Sequence, residues 1–127
     1  MKNLNRVTLI GHIAADPELR QTPTGKTVLS FALAVNRYLK SAEKSETVDF
    51  HRIAVWGKQA ESLDKYLAKG MFIYIEGKLL NYSYEKEKVK QYKTEIMADS
   101  IIILNWEKSK KVADKMEVKQ EVDLVSA

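Results

Sequence analysis

The sequence predicts an all-β fold with one short helix, on three observations. Apolar residues recur at every second position through most of the first hundred residues, the period of a strand whose two faces meet different surroundings. One segment, KQAESLDKYLAK at 58–69, shifts to a helical period: Ala60, Leu63 and Leu67 share a side, and Gly70 stands where a helix C-terminus favours glycine. Turn-forming clusters separate the runs: Asp16-Pro17, Thr22-Pro23-Thr24-Gly25, the polar KSAEKSET at 40–47 and the charged EKEK at 85–88.

The first strand covers about 4–13, with Val7, Leu9, Gly11 and Ile13 on one face. The second, about 27–37, sets Leu29, Phe31, Leu33 and Val35 against Ser30, Ala32, Ala34 and Asn36. The third is VDFHRIAVWGK at 48–58. After the helix, the fourth (71–84) alternates Ile73, Ile75 and Gly77 with Tyr74, Glu76 and Lys78. EKEK reads as a long hairpin tip. The fifth strand, about 89–97, returns through Tyr92, Thr94 and Ile96, and Ile101 to Leu104 add a short apolar run. Three strands, a helix and two strands is the order of the five-stranded Greek-key OB-fold barrel, with its helix between strands three and four. A small mixed sandwich uses the same elements. At 127 residues the chain has the length of one domain. That domain is expected at 1–106, and the charged, weakly apolar 107–127 is expected to be a loosely ordered tail.

Composition narrows the function classes. The absence of cysteine excludes a disulfide framework, a thiolate zinc site and a cysteine nucleophile. A formal net charge of +4 favours anionic partners. The N-terminal MKNLNRVTLIGHIAADP resembles a secretion signal superficially, but Thr8, Gly11 and His12 interrupt its apolar run, which reads as a strand. No apolar run approaches a membrane span, so a soluble intracellular chain with no membrane partner is expected.

Catalysis has little to work with. The chain has two histidines and no G-x-S-x-G, P-loop or G-x-G-x-x-G motif. Asp49 and His51 share a strand face, but no third ligand accompanies them, so no metal site is expected. His51 reads instead as a structural residue beside Ile53 or at a subunit contact. Carboxylates are scattered, with no cluster suited to two-metal chemistry. The expectation is no enzyme, no cofactor and no metal.

Aromatic and basic residues carry more. In 48–58 one face holds Phe50, Arg52, Ala54 and Trp56, with Lys58 just past the end; the other holds His51, Ile53 and Val55. Phe50 and Trp56 suit a core or subunit interface, where aromatics dominate the energetics. They equally suit a displayed face. Neighbouring segments repeat the mixture: Lys78, Tyr82 and Tyr84 in the fourth strand, Arg37, Tyr38 and Lys40 leaving the second, and Arg6 near the first. Every base has a π-face, so exposed aromatics hold single strands without reading sequence, at ~1–3 kcal/mol per stacked base, while cations track the phosphates. The pattern favours single-stranded nucleic acid. It leaves RNA open, because stacking does not read the 2′-hydroxyl, and it leaves open an OB-fold interaction module of a primosome-like assembly using the same face for a protein.

The stretches NRVTLIGHIAADPELRQTPTGKTVLSFALAVNR (5–37), VDFHRIAVWGK (48–58), AESLDKYLAKGMFIYIEGKL (60–79) and YKTEIMADSI (92–101) resemble the bacterial-type single-stranded-DNA-binding protein family, the homotetrameric OB-fold type. The resemblance implies sequence-independent binding of single-stranded DNA in replication, recombination and repair, in the cytoplasm at the nucleoid. It implies base stacking on Phe50, Trp56 and Tyr84, with Tyr82 beside the last, and on either Tyr38 or Leu39. It implies phosphate contacts from Arg6, Arg37, Arg52, Lys58, Lys69 and Lys78, and an oligomer-interface role for His51. Long-form members end in a Gly/Pro/Gln-rich linker and an acidic tip closing on Pro-Phe, which recruits replication and repair enzymes. This chain closes EVKQEVDLVSA, so that recruitment is not carried over, and a short paralogue, a mobile-element version or a divergent lineage is expected.

Overall fold

The computed structural model describes residues 2–38 and 46–105. The strands are β1 (Val7–Ile13), β2 (Glu18–Gln21), β3 (Thr27–Tyr38), β4 (Glu46–Trp56), β5 (Phe72–Lys86) and β6 (Val89–Ile103), and the helix α1 (Lys58–Asp64) lies between β4 and β5. Leu39, Lys40, Trp106 and the expected tail at 107–127 lie outside the described residues, as does the side chain of Tyr38.

Pairing runs β1-β5-β6-β4-β3 and returns from β3 to β1, so five strands form a closed ring with β2 added on β3. All pairs are antiparallel except β4 with β6. This is the expected all-β OB-fold order, with one short strand more. The ELRQ of β2 pairs Glu18 to Gln21 with Ser30 to Thr27, and its four residues are all exposed. With neither face buried, no apolar alternation announces it.

Inside the ring the predicted inward residues meet. Ile13, Leu29, Phe31, Leu33, Ile53, Val55, Ile73, Ile75, Ile96, Ala98 and Ile103 form one buried cluster, joined by Ala60, Leu67 and Met71. Ala60 lies in α1, which packs mainly on β3. The helix stops at Asp64 rather than running to 69. Lys65 donates to Ser62 O and Tyr66 to Leu63 O, tightening the chain into turns that still bury Leu67.

β6 is a single strand where the sequence reads two pieces. Its partners jump from Glu76↔Ser100 to Gly77↔Ala98, which leaves Asp99 as an extra residue. This is a β-bulge, and it flips parity: Ile101 and Ile103 face inward before it, Ala98 and Ile96 after it. The polar Asp99-Ser100 that reads as a strand end is the bulge itself. The backbones crowd here, since a β-carbon on Gly77 would run into the Met97 carbonyl. Gly11 has the same relation to the Ala34 carbonyl, where β1 crosses to β3.

Beyond the bulge β5 and β6 stay paired, and past the last β4 contact at Ile96 they run on as a two-stranded ribbon to Lys86 and Val89. The expected long tip is therefore a two-residue loop. Glu87 and Lys88 both take positive φ, 54° and 65°, the backbone of a type I′ turn made without asparagine or glycine. At the other end the Asn5 side chain donates to Leu79 O at 2.8 Å and accepts from Leu79 N–H at 2.9 Å, tying the segment before β1 to the ribbon's base.

Among the described residues, no helix is long and apolar enough to cross a membrane. Gly77→Ala is expected to lower the unfolding free energy by about 1–3 kcal/mol, because the crowding atoms are backbone and do not yield readily. Urea denaturation of the two proteins measures it, and an unchanged midpoint would contradict the crowding at this position.

Candidate nucleic-acid interface

β4 is flanked by β3 and β6, and its alternation delivers Phe50, Arg52, Ala54 and Trp56 to the outside of the ring. What covers each depends on its neighbours. Phe50 lies opposite Ala34 and Arg52 opposite Ala32, partners too small to hide them, and Phe50 remains 65% exposed. Ala54 shares the face but is buried beside Met97 on β6, since its methyl is shorter than its surroundings. Trp56 is half-buried, and its Nε1 is enclosed without a hydrogen-bond partner. Phe50 and Trp56 stand six residues apart, about 20 Å along the strand, so they form separate platforms.

Trp56 belongs to an open cleft of about 340 Å³, lined by Arg20, Val28, Trp56, Tyr82, Tyr84, Lys93 and Glu95. Register explains the first three. Arg20 pairs with Val28 and Val28 with Trp56, one cross-strand row over β2, β3 and β4. The other four come from the ribbon beyond the bulge, where Tyr82 pairs with Lys93 and Tyr84 with Gln91. The cleft thus joins the ring's outer wall to the ribbon, and its volume suits one small planar group better than an extended ligand.

Its electrostatics are mixed. Lys93 Nζ lies 3.4 Å from Glu95 Oε2. Burial in the cleft pushes the Tyr82 phenol above its ordinary value of 10.0, and the neighbouring Glu95 charge adds to the rise. Both effects oppose a phenolate, so Tyr82 keeps its proton and its flat neutral ring.

The cations named from the sequence spread over several surfaces. Arg52, Lys58, Lys69, Lys78 and Arg6 are all exposed. Lys58 opens α1. Lys78 pairs with Met97, beside the outer face of β4. The Lys69 backbone N–H donates to Asp16 Oδ1 at 2.9 Å, fixing the loop that carries it. Arg6 stands near Tyr74, away from the cleft, where its charge offsets a little of the rise that the hydrogen bond to Glu76 imposes on that phenol. Arg37 is engaged already: its Nε and Nη2 donate to the two Asp49 oxygens at 3.0 and 3.2 Å. His51 is half-buried opposite the fully buried Leu33. Among the described residues no three His, Asp or Glu side chains gather where they could hold a metal.

Sequence reading missed Arg20, Lys93 and Glu95. For the last two a signal exists: counting outward by twos from the buried Ile96 puts residues 95 and 93 on the face opposite to it. Arg20 has none, because its strand lacks alternation.

A closed ring with a helix between β4 and β5, and with Phe50, Arg52 and Trp56 on one outer wall, defines an OB-fold. The chain matches the Single-strand binding protein family over residues 4–104, and it belongs to that family. It is 47% identical over 105 residues to a single-stranded DNA-binding protein of Clostridium tetani, covering 81% of this chain and 72% of the relative. It is 47% identical over 102 residues to single-stranded DNA-binding protein 1 of Staphylococcus aureus, covering 80% of this chain and 65% of that relative. Among solved structures, the Plasmodium falciparum single-stranded-DNA-binding protein in complex with single-stranded DNA superposes with a TM-score of 0.74 at 31% identity, over 83% of this chain and 98% of that one.

Tyr82 is expected to titrate later than an ordinary tyrosine. Ultraviolet absorbance of phenolate should show a component above pH 10 that Tyr82→Phe removes. Tyr74, raised chiefly by the 2.9 Å hydrogen bond it donates to Glu76, should supply a second late component that the substitution leaves in place. A Tyr82→Phe curve identical in shape to wild type would contradict the burial of this phenol.

Proposed function

We propose that the protein binds single-stranded DNA without regard to sequence, holding bases on Phe50, Trp56, Tyr82 and Tyr84 and phosphates on its basic residues, and so protects exposed strands in replication, recombination and repair. The carrying observation is the cleft, where Trp56, Tyr82 and Tyr84 stand together with Arg20 and Lys93. Aromatic faces hold unstacked bases, so a duplex, whose bases are hidden, binds poorly. Arg52, Lys58, Lys69, Lys78 and Arg6 displace counterions along the strand, and affinity falls as salt rises. Arg37 joins them once a phosphate competes for the guanidinium that Asp49 holds. Tyr38, at the end of β3, is the remaining stacking candidate. The reading needs no bond-breaking step and no cofactor, and its setting is the cytoplasm at the nucleoid.

The working unit is a homotetramer. Supporting this, Ile10, Tyr74 and Ile102 lie side by side on the outer face of β1, β5 and β6, and the two isoleucines are 47% and 53% exposed. An apolar row left in water on an ordered sheet favours burial by another copy. His51 is the residue assigned to subunit contact on β4. One strand threaded past several subunits gains affinity through effective concentration.

Trp56→Ala and Phe50→Ala are each expected to weaken poly-dT binding by about 1–3 kcal/mol while leaving thermal unfolding near wild type. The direct reading is tryptophan fluorescence in a Trp106→Phe background, where poly-dT should quench Trp56; unquenched emission would remove its stacking role. Light scattering with and without poly-dT should give the mass of four copies and a DNA-dependent increase. A monomer mass would refute the tetramer.

A further inference from the structure

Glu95 is a carboxylate among aromatics and cations, in a cleft read as a site for a polyanion. Phosphate cannot be its partner, because like charges repel. Its side chain is only 12% exposed, so it is poorly hydrated and costly unless donors reach it. Lys93 supplies one contact, at 3.4 Å to Oε2, and is itself 36% exposed. An ionised carboxylate accepts at about four lone-pair positions, so capacity is left over. Trp56, Tyr82 and Tyr84 line the same cleft and offer base platforms beside this acceptor.

We propose that Glu95 selects among bases: it accepts a hydrogen bond from the exocyclic amine of a base held in the cleft, so this subsite favours cytosine, adenine and guanine over thymine and uracil. The inference rests on the single-stranded-DNA reading above and adds a bias within it. The chemistry is one-sided because a carboxylate accepts and never donates. Cytosine N4, adenine N6 and guanine N2 are amines, whereas thymine and uracil place a carbonyl oxygen where cytosine has its amine. Their ring N3–H is a donor, but it sits between two carbonyl oxygens that repel an approaching carboxylate. The subsite therefore differs from the platform at Phe50, which lies between Arg52 and the small Ala34 on the open part of the wall and stacks any base alike.

Cytosine and uracil differ along one edge, an N4 amine and a bare N3 against an O4 carbonyl and an N3–H, so oligo-dC and oligo-dU of equal length are the probes. They are compared by fluorescence titration at fixed salt and pH 8, using the full chain and Glu95→Gln. Glutamine keeps the size and can donate or accept, so it should serve both bases. The ratio of dC affinity to dU affinity is expected to be roughly three- to tenfold higher in wild type than in Glu95→Gln. Equal ratios in the two proteins would overturn the proposal, and so would a uniform gain for both oligonucleotides in Glu95→Gln, which would leave Glu95 as a simple repulsive charge. If the variant does not fold, wild type against oligo-N4,N4-dimethyl-dC reads the same contact: the amine donors are gone, and affinity relative to dC should fall by a similar factor. Undiminished binding of the dimethylated strand would overturn the proposal. Failure of wild type to bind any oligonucleotide would remove the single-strand reading itself, a result distinct from an unchanged ratio.

Discussion

Where β5 crosses β6, the Met97 carbonyl occupies the space that a β-carbon on residue 77 would need, and the Ala34 carbonyl does the same to residue 11 where β1 meets β3. A sheet of this length closes on itself only if its strands bend sharply, and bending brings backbone against backbone. Glycine permits the approach at both corners. The extra residue Asp99 completes the second corner by reversing which side chains of β6 face inward. Without that reversal Ile96 and Ala98 would lie on the outer wall, and the core would lose two of its members.

The corner also creates the cleft. Past the bulge, β6 keeps its ladder to β4 only as far as Ile96; from there β5 and β6 leave the ring and pair only with each other, so Tyr82, Tyr84, Lys93 and Glu95 are carried to Trp56 without belonging to the wall that holds it. The ring contributes the counterpart through the row Arg20, Val28 and Trp56. Elsewhere on that wall, exposure is set by neighbours. Ala32 and Ala34 leave Arg52 and Phe50 standing clear, while Ala54, itself small, is overtopped. The wall is therefore graded: an open platform at Phe50, an enclosed one at Trp56.

Much of this is legible in the sequence wherever burial differs between two faces of a strand. Residues 27–37 and 71–84 alternate cleanly, and Ile73, Ile75, Leu29 and Leu33 lie in the core as that alternation requires. The outward placement of Phe50, Arg52, Tyr82 and Tyr84 follows from the same rule. Legibility fails where one-dimensional pattern and three-dimensional pairing part. ELRQ buries nothing, so nothing marks it as a strand. The parity change at Asp99 imitates a strand end. Glu87 and Lys88 adopt a turn backbone that sequence associates with asparagine and glycine, because the paired ribbon on either side imposes it. The company of Arg20, Trp56 and Glu95 is a tertiary fact, joining residues from β2, β4 and β6 that no local window contains.

The ring is sealed by short seams between long hairpins. β4 meets β6 through only two residue pairs, Ile53↔Ile96 and Ala54↔Met97, and β1 meets β3 through two more, His12↔Ala34 and Ile13↔Leu33. The hairpins β3–β4 and β5–β6 are far longer and more local in sequence. Local pairing costs the hairpins little loop-closure entropy, whereas each seam must bring distant segments together for two residue pairs. Read in reverse, the seams are the cheapest places for the folded protein to open, since each surrenders few ladder bonds while the hairpins stay intact. The β4–β6 seam lies under Ala54, next to Trp56, so among the described strands the wall beside the cleft is held by a shorter ladder than the hairpins on either side of it.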